Sequence, residues 1–237
     1  MKSGFYRAIA SDSGERRVHH ELERRPWVMN DLFDRCRGGF VVSHFRLGDE
    51  YEADFVVLHG FSGGWDVHLV ELEPPAESPF NAKGDYSARL NHAAGQIRRW
   101  KQFVKQGDKR DYFFSQLRRA IMEKDLLWGD GREPLDSASM PLTDSRSSIF
   151  MHYHVIMGRR GSLAPKELVQ KAWLRETDNF ELITYDRVLE VWKRQLKDGT
   201  YPRPSPLKPK RKGHRRISRT ARRAVPTSQL QNSGCDS

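Results

Sequence analysis

The sequence predicts an α/β fold: a mixed central β-sheet flanked by helices. Three observations carry that reading. Short β-branched and aromatic runs stand beside longer stretches whose apolar residues recur every three or four positions. Three of the β-type runs come early, two of them joined by a glycine-rich turn. The whole order, α-β-β-β-α-(α)-β-α-β-α, suits a sheet covered by helices.

Each element has its own signal. Val18–Arg35 carries Leu22, Val28, Met29, Leu32 and Phe33 at helical spacing, with a break or bend at Pro26 and a stop at Gly38-Gly39. Phe40–Arg46 is a β-type run ended by Leu47-Gly48. Ala53–Leu58 and Asp66–Glu73 are strands joined through His59-Gly60-Phe61-Ser62-Gly63-Gly64-Trp65, and Pro74-Pro75 ends the second. Asp85 or Ser87 caps a helix to about Lys105, with Leu90, Ala94, Ile97 and Val104 on its apolar stripe. A helix over Phe113–Lys124 precedes a loop rich in Gly, Pro, Asp and Ser. Ile149–Met157 is a strand, Lys166–Arg175 a helix after Pro165, Glu181–Thr184 a short strand and Arg187–Leu196 the last helix.

Composition limits the function classes. The net charge is +10, from 41 Lys+Arg and 31 Asp+Glu, but ten of the bases and one acid lie beyond residue 200. Residues 1–200 therefore carry only +1. The remainder opens with Tyr201-Pro-Arg-Pro-Ser-Pro and is nearly free of aliphatic residues, so it has too little to bury to order itself. The expected organisation is an N-terminal segment (1–17), a globular domain (18–198) and a disordered basic tail (199–237). Two cysteines, Cys36 and Cys235, exclude a disulfide scaffold and a four-Cys zinc knuckle. No apolar run is long enough to span a membrane, and Met1–Arg17 lacks a signal-peptide core, so the expectation is a cytoplasmic protein with no membrane partner.

The chemistry is concentrated in Glu52-Ala53-Asp54-Phe55-Val56-Val57-Leu58 and Val67-His68-Leu69-Val70-Glu71-Leu72-Glu73. Alternate strand residues share a face, so Glu71 and Glu73 point the same way as Val67 and Leu69. In an antiparallel hairpin the start of one strand lies beside the end of the next, which sets Asp54 near both. Three close carboxylates repel one another, and a divalent cation relieves the repulsion; hard oxygens select Mg²⁺ or Mn²⁺. Such an ion polarises a phosphoryl oxygen and activates water for attack on a phosphodiester. Acids at strand ends are also commonly just solvated, and Asp-x(n)-Glu-x-Glu is a weak motif alone.

A helix follows with Gln96-Ile97-Arg98-Arg99-Trp100, Gln96 and Trp100 on one face. A hairpin bearing Asp and Glu-x-(Lys position), then a helix bearing Gln, resembles the PD-(D/E)xK nucleases. Arg46-Leu-Gly-x(5)-Asp-Phe-Val-Val, Trp65–Pro75, Ser87–Trp100, His154–Arg160 and Glu181–Leu189 are similar to the Shedu family of prokaryotic anti-phage nucleases. The likeness runs over roughly 18–196 and is weakest at 106–148. It implies a PD-(D/E)xK restriction-endonuclease-like core and a Mg²⁺-dependent deoxyribonuclease. Asp54 and Glu71 match the metal-binding acids and Gln96 the supporting glutamine. Glu21 matches a helix-borne acid, with Glu23 as its substitute. The usual Lys is replaced by Glu73, which as a carboxylate serves as third metal ligand or general base, or marks a degenerate nuclease that binds nucleic acid or regulates a partner.

The expected partners are DNA, further copies of the chain, and a separate sensor protein or phage trigger, all implied by the same likeness. Arg98, Arg99, Arg159, Arg160 and the tail's Lys210, Arg211 and Lys212 are the candidate phosphate contacts, the two arginine pairs equally readable as ordinary exposed residues. His152 and His154 share a strand face, but no third zinc ligand is evident, so they read as structural. Trp65, Trp100, Trp173 and Trp192 read as core.

Overall fold

The computed structural model describes residues 4–10, 14–34, 39–123 and 125–198. Seven α-helices among them are α1 (Gly4–Ala10), α2 (Gly14–Glu23), α3 (Pro26–Phe33), α4 (Ala88–Lys105), α5 (Gly107–Met122), α6 (Pro165–Thr177) and α7 (Tyr185–Asp198). The strands are β1 (Gly39–Leu47), β2 (Tyr51–Phe61), β3 (Gly64–Leu72), β4 (Leu126–Trp128), β5 (Ser148–Ile156) and β6 (Glu181–Ile183). They form one mixed open sheet in the order β4-β1-β2-β3-β5-β6. The pairs β4–β1, β1–β2 and β2–β3 are antiparallel, β3–β5 and β5–β6 parallel.

Both faces are covered. Val56, Leu58, Val67, Leu69, Val155 and Leu182 join the cluster built with α4 and α5. Their strand neighbours Phe55, Val57, Val70, Leu72, Ile156 and Ile183 join the cluster built with α1, α2, α3 and α7. The period-two split explains why these strands read as continuous apolar runs: every position has a core to enter. The expected α/β class with helices about a mixed sheet is what the chain adopts.

Several boundaries differ from expectation. At Pro26 the interruption is a break rather than a bend: Pro26 occupies the first turn of α3, and the chain leaves α2 at Arg24-Arg25. α5 begins at Gly107 rather than Phe113; its first turns are solvent-facing, so only the later half, with Phe113, Phe114, Leu117, Ala120 and Ile121 buried, shows an apolar stripe. β4, three residues on the edge beside β1, was too short to register as a strand. α1 places Phe5, Ala8 and Ile9 in the second core. The tail, with Lys210, Arg211 and Lys212, lies outside the described residues.

A dislocation crosses β1 and β2. Val42 belongs to the α4–α5 face, yet so do Phe45 and Leu47; on β2, Val56 and Ala53 share that face. Alternation therefore slips by one on both strands, while the pairs Ser43↔Phe55 and Phe45↔Ala53 stay in register on either side. His44, at φ 51, takes up the slip. A non-glycine residue in the left-handed region costs about 1 kcal/mol and is commonest where a site needs it. Asp54 lies across from it.

Candidate active site

β3 ends in the carboxylates. One step beyond the Phe55↔Val70 pair, Asp54 stands beside Glu71. The Leu72 backbone N–H donates to Asp54 Oδ2 at 2.7 Å, locking the carboxylate against the end of β3. Glu71 and Glu73 are 8% and 3% exposed, far below what an acid tolerates without a compensating partner. Glu73 continues the parallel pairing with a bond from its N–H to Ile156 O at 2.9 Å, and the Tyr185 hydroxyl of α7 donates to the Glu73 carbonyl at 2.9 Å. Two elements therefore fix the backbone of this residue.

The electrostatics follow from burial. Desolvation pushes Asp54 up to about 7, with Glu15 adding to it and the Leu72 N–H opposing it. Glu73 also rises to about 7, by desolvation and then by Glu15, against the pull of Arg89. Glu71 is driven further up by burial, then by Asp54 and Glu73, while a hydrogen bond from Gln96 of α4 works the other way. The groups that raise one another are close enough to share a field. The buried Glu73 Oε2 and Gln96 Oε1 have no hydrogen-bond partner among the described residues. Orphaned acceptors beside mutually repelling carboxylates are what a hard cation with bound water would satisfy. Asp54 and Glu71 fit such an ion.

The expected three-carboxylate cage is looser than the spacing suggested. Among the described residues, the one trio of His, Cys, Asp or Glu ligand atoms all within 4.8 Å of one another is His19, Glu23 and His44, not Asp54, Glu71 and Glu73. Glu73 instead meets a cation: Arg89 Nη1 of α4 lies 3.6 Å from its Oε2. Arg89 went unnoticed in the sequence because nothing in its spacing ties it to the hairpin. It sits one residue into α4, whose start is set by Ser87, the Oγ of which accepts from Leu90 N at 3.3 Å.

Glu21, the expected helix-borne acid, receives Arg25 Nη1 from the residue that precedes α3, an i,i+4 pair across the α2–α3 break. Glu23 receives Ser43 Oγ at 3.1 Å. The α2 acid whose charge acts on Asp54, Glu71 and Glu73 is Glu15. A signal existed: the buried face Val18, His19, Leu22 projects back by three and four residues onto Glu15.

The arginines divide. Arg98 and Arg99 are solvent-exposed on α4. Arg159 forks onto Asp186, Nη2 to Oδ1 at 2.9 Å, and Arg160 pairs with Glu190 at 3.2 Å. Arg159 is thus an anchor between the β5–α6 turn and α7 rather than a free phosphate contact. Trp65 and Trp100 are fully buried and Trp192 nearly so, but Trp173 is 58% exposed on α6, a correction to its assignment to the core. His152 and His154 do acquire neighbours: His68 Nδ1 lies 3.0 Å from His154 Nε2, and His152 Nε2 lies 2.8 Å from Asp66 Oδ1.

A helix-covered mixed sheet with buried acids at the end of its central hairpin defines an α/β domain with an acidic centre suited to a hard cation. The family model described as Shedu protein SduA, C-terminal, matches residues 12–189. The chain belongs to the Shedu family, and that membership points to a role in anti-phage defence. No curated protein matches the chain. Among the described residues no helix is long and apolar enough to cross a membrane.

Proposed function

We propose that the chain is a metal-dependent DNA endonuclease of an antiviral defence system, hydrolysing phosphodiester bonds on a PD-(D/E)xK-type core. The observation that carries the reading is the buried Asp54–Glu71 pair at the hairpin end, flanked by Glu15, Glu73 and Gln96. Asp54 and Glu71 are the residues to hold Mg²⁺ or Mn²⁺, with water completing the shell, since Mg²⁺ is commonly bound through one or two carboxylates. The ion, when bound, supplies polarisation of the scissile phosphate.

The chain's own groups do the rest. Glu73, raised to about 7 with Oε2 lacking a hydrogen bond, is matched to accept the proton of the attacking water at neutral pH. Gln96 Oε1 is placed to accept from that water and orient it. Arg89 brings a guanidinium to 3.6 Å from Oε2 of Glu73, the residue at the motif's Lys position, and its charge offsets the negative charge that grows on phosphate.

Incubation of the protein with plasmid and linear DNA in Mg²⁺ or Mn²⁺ tests this. Cleavage abolished by Glu71→Ala is the expected result; cleavage that survives it sinks the site assignment. A wild type that cuts nothing but binds DNA in a salt-sensitive way favours the second reading, a degenerate nuclease-like module, for which Glu73 at the Lys position is the specific support.

A further inference from the structure

Beside Asp54, at the β1–β2 dislocation itself, lies a second group of potential ligands. His19 and Glu23 stand one turn apart on α2, and His44 faces them from β1. Glu23 Oε1 is 3.9 Å from His19 Nδ1 and 3.5 Å from His44 Nε2. Two ligands of a tetrahedral zinc ion, with bonds near ~2.0–2.1 Å, lie roughly 3.3–3.4 Å apart. The two spacings to Glu23 exceed that by about 0.2 and 0.5 Å, and one ligand atom from each of the three residues lies within 4.8 Å of the others, an open three-point claw.

Both rings are also held as ligating histidines are held. A metal-bound imidazole characteristically gives its other nitrogen to a carboxylate or a backbone carbonyl, which fixes the ring and the tautomer. His44 has Nδ1 at 2.9 Å from Glu52 Oε1, leaving Nε2 toward Glu23. His19 has Nε2 at 3.4 Å from the Asp54 carbonyl, leaving Nδ1 toward Glu23. The His19 ring is further clamped by stacking on Phe55, centroids 4.7 Å apart. In each case the nitrogen left over is the one that points at the shared carboxylate.

The backbone adds an independent sign. His44 is one of three described non-glycine residues at positive φ, and it lies inside a strand, where ladder pairing opposes that conformation. The distortion brings its ring to 4.2 Å from that of His19. Side-chain exposure is graded, 8% for His19, 18% for Glu23 and 55% for His44, so the claw opens to solvent on one side.

We propose that His19, Glu23 and His44 form a binding site for a borderline divalent ion of the Zn²⁺ class, with water as the fourth ligand. Two imidazoles and one carboxylate select Zn²⁺ or Co²⁺ over Mg²⁺, whereas the all-oxygen pair Asp54–Glu71 has the opposite preference. The two sites meet at Asp54, whose backbone carbonyl and Oδ1 lie 3.4 and 3.6 Å from His19 Nε2, but differ in the ion they take. The site stands on its own geometry and does not require the chain to be a nuclease. Occupied, it ties α2 to the β1–β2 dislocation and so fixes the helix that carries Glu15.

Full-length protein, stripped of metal and titrated with Co²⁺, gives the test. The expected result is one equivalent with the intense visible absorption of tetrahedral Co²⁺, displaced by Zn²⁺ and not by excess Mg²⁺. His44→Ala, at an exposed position, and Glu23→Gln each weaken binding more than about tenfold, since even outer-shell changes cost that much. Glu71→Gln and His152→Ala leave the signal intact. No tetrahedral signal overturns the proposal, as does a signal kept in both His44→Ala and Glu23→Gln. Loss of the signal in Glu71→Gln would assign the ion to the carboxylates, and loss in His152→Ala to the histidines of β3 and β5; either overturns it.

Discussion

Asp54→Asn isolates the energetic cost of the acidic centre. Asp54 is raised from 3.8 to about 7, mainly by burial. Between those values the folded protein holds more protons than the unfolded chain, so in the absence of metal stability falls as pH climbs from about 4 to about 7. One group contributes a slope of about 1.4 kcal/mol per pH unit inside the window. Its ceiling over the full window is about 4 kcal/mol, and about 3 kcal/mol between pH 5 and 8. Asparagine keeps an oxygen to accept from Leu72 N but has no proton to lose. Urea unfolding in EDTA at pH 5, 6, 7 and 8 should show the wild type losing stability across the series and the D54N protein losing less, by up to that amount. Mg²⁺ or Mn²⁺ at pH 8 should restore the wild type and leave D54N unchanged. Parallel pH profiles for the two proteins, or a wild type that gains stability with pH in EDTA, would refute the reasoning.

Other perturbations separate the neighbours. Glu15→Gln lessens the charge acting on three site carboxylates and should weaken Mn²⁺ binding several-fold by calorimetry, whereas Glu21→Gln, whose carboxylate is paired with Arg25 at the start of α3, should not alter it. Arg89→Ala leaves Glu73 without its cation and should slow DNA cleavage by at least about tenfold, with DNA binding in Ca²⁺ little changed. Ser87→Ala removes the side-chain cap of α4 and should cost about 1 kcal/mol in urea unfolding without touching Glu73 or Gln96.

How much of this was readable depends on the range of the interaction. The hairpin and its acids were legible because strand alternation and antiparallel pairing are local rules: Asp54 beside Glu71 needed only a hairpin connection somewhere within His59–Trp65, which the structure narrows to Ser62-Gly63. α4 was legible through Ser87 and its apolar stripe. Glu15 was obscured because Glu21 and Glu23 lie on the same helix, and the choice among them depends on which face of α2 meets β2. Arg89 could not be found without knowing where the α4 start sits relative to β3. Trp173 was misassigned because aromatic residues at helical spacing read as core whether or not anything covers them. The slip at His44 left a trace on one strand alone: Val42 and Phe45 are three apart across Ser43-His44, whereas Ala53, Phe55 and Val57 still alternate and both strands shift together, so the pairing either side is unchanged.

That double slip has a mechanical consequence. It divides the β1–β2 ribbon into an inner half woven through the sheet and an outer tip, Phe45 to Ala53, whose apolar residues grip the α4–α5 layer. The tip and the acidic centre therefore share one support, α4: its apolar side holds the tip, while its Gln96 and Arg89 reach Glu71 and Glu73. His44 and Asp54 stand where the two halves of the ribbon join.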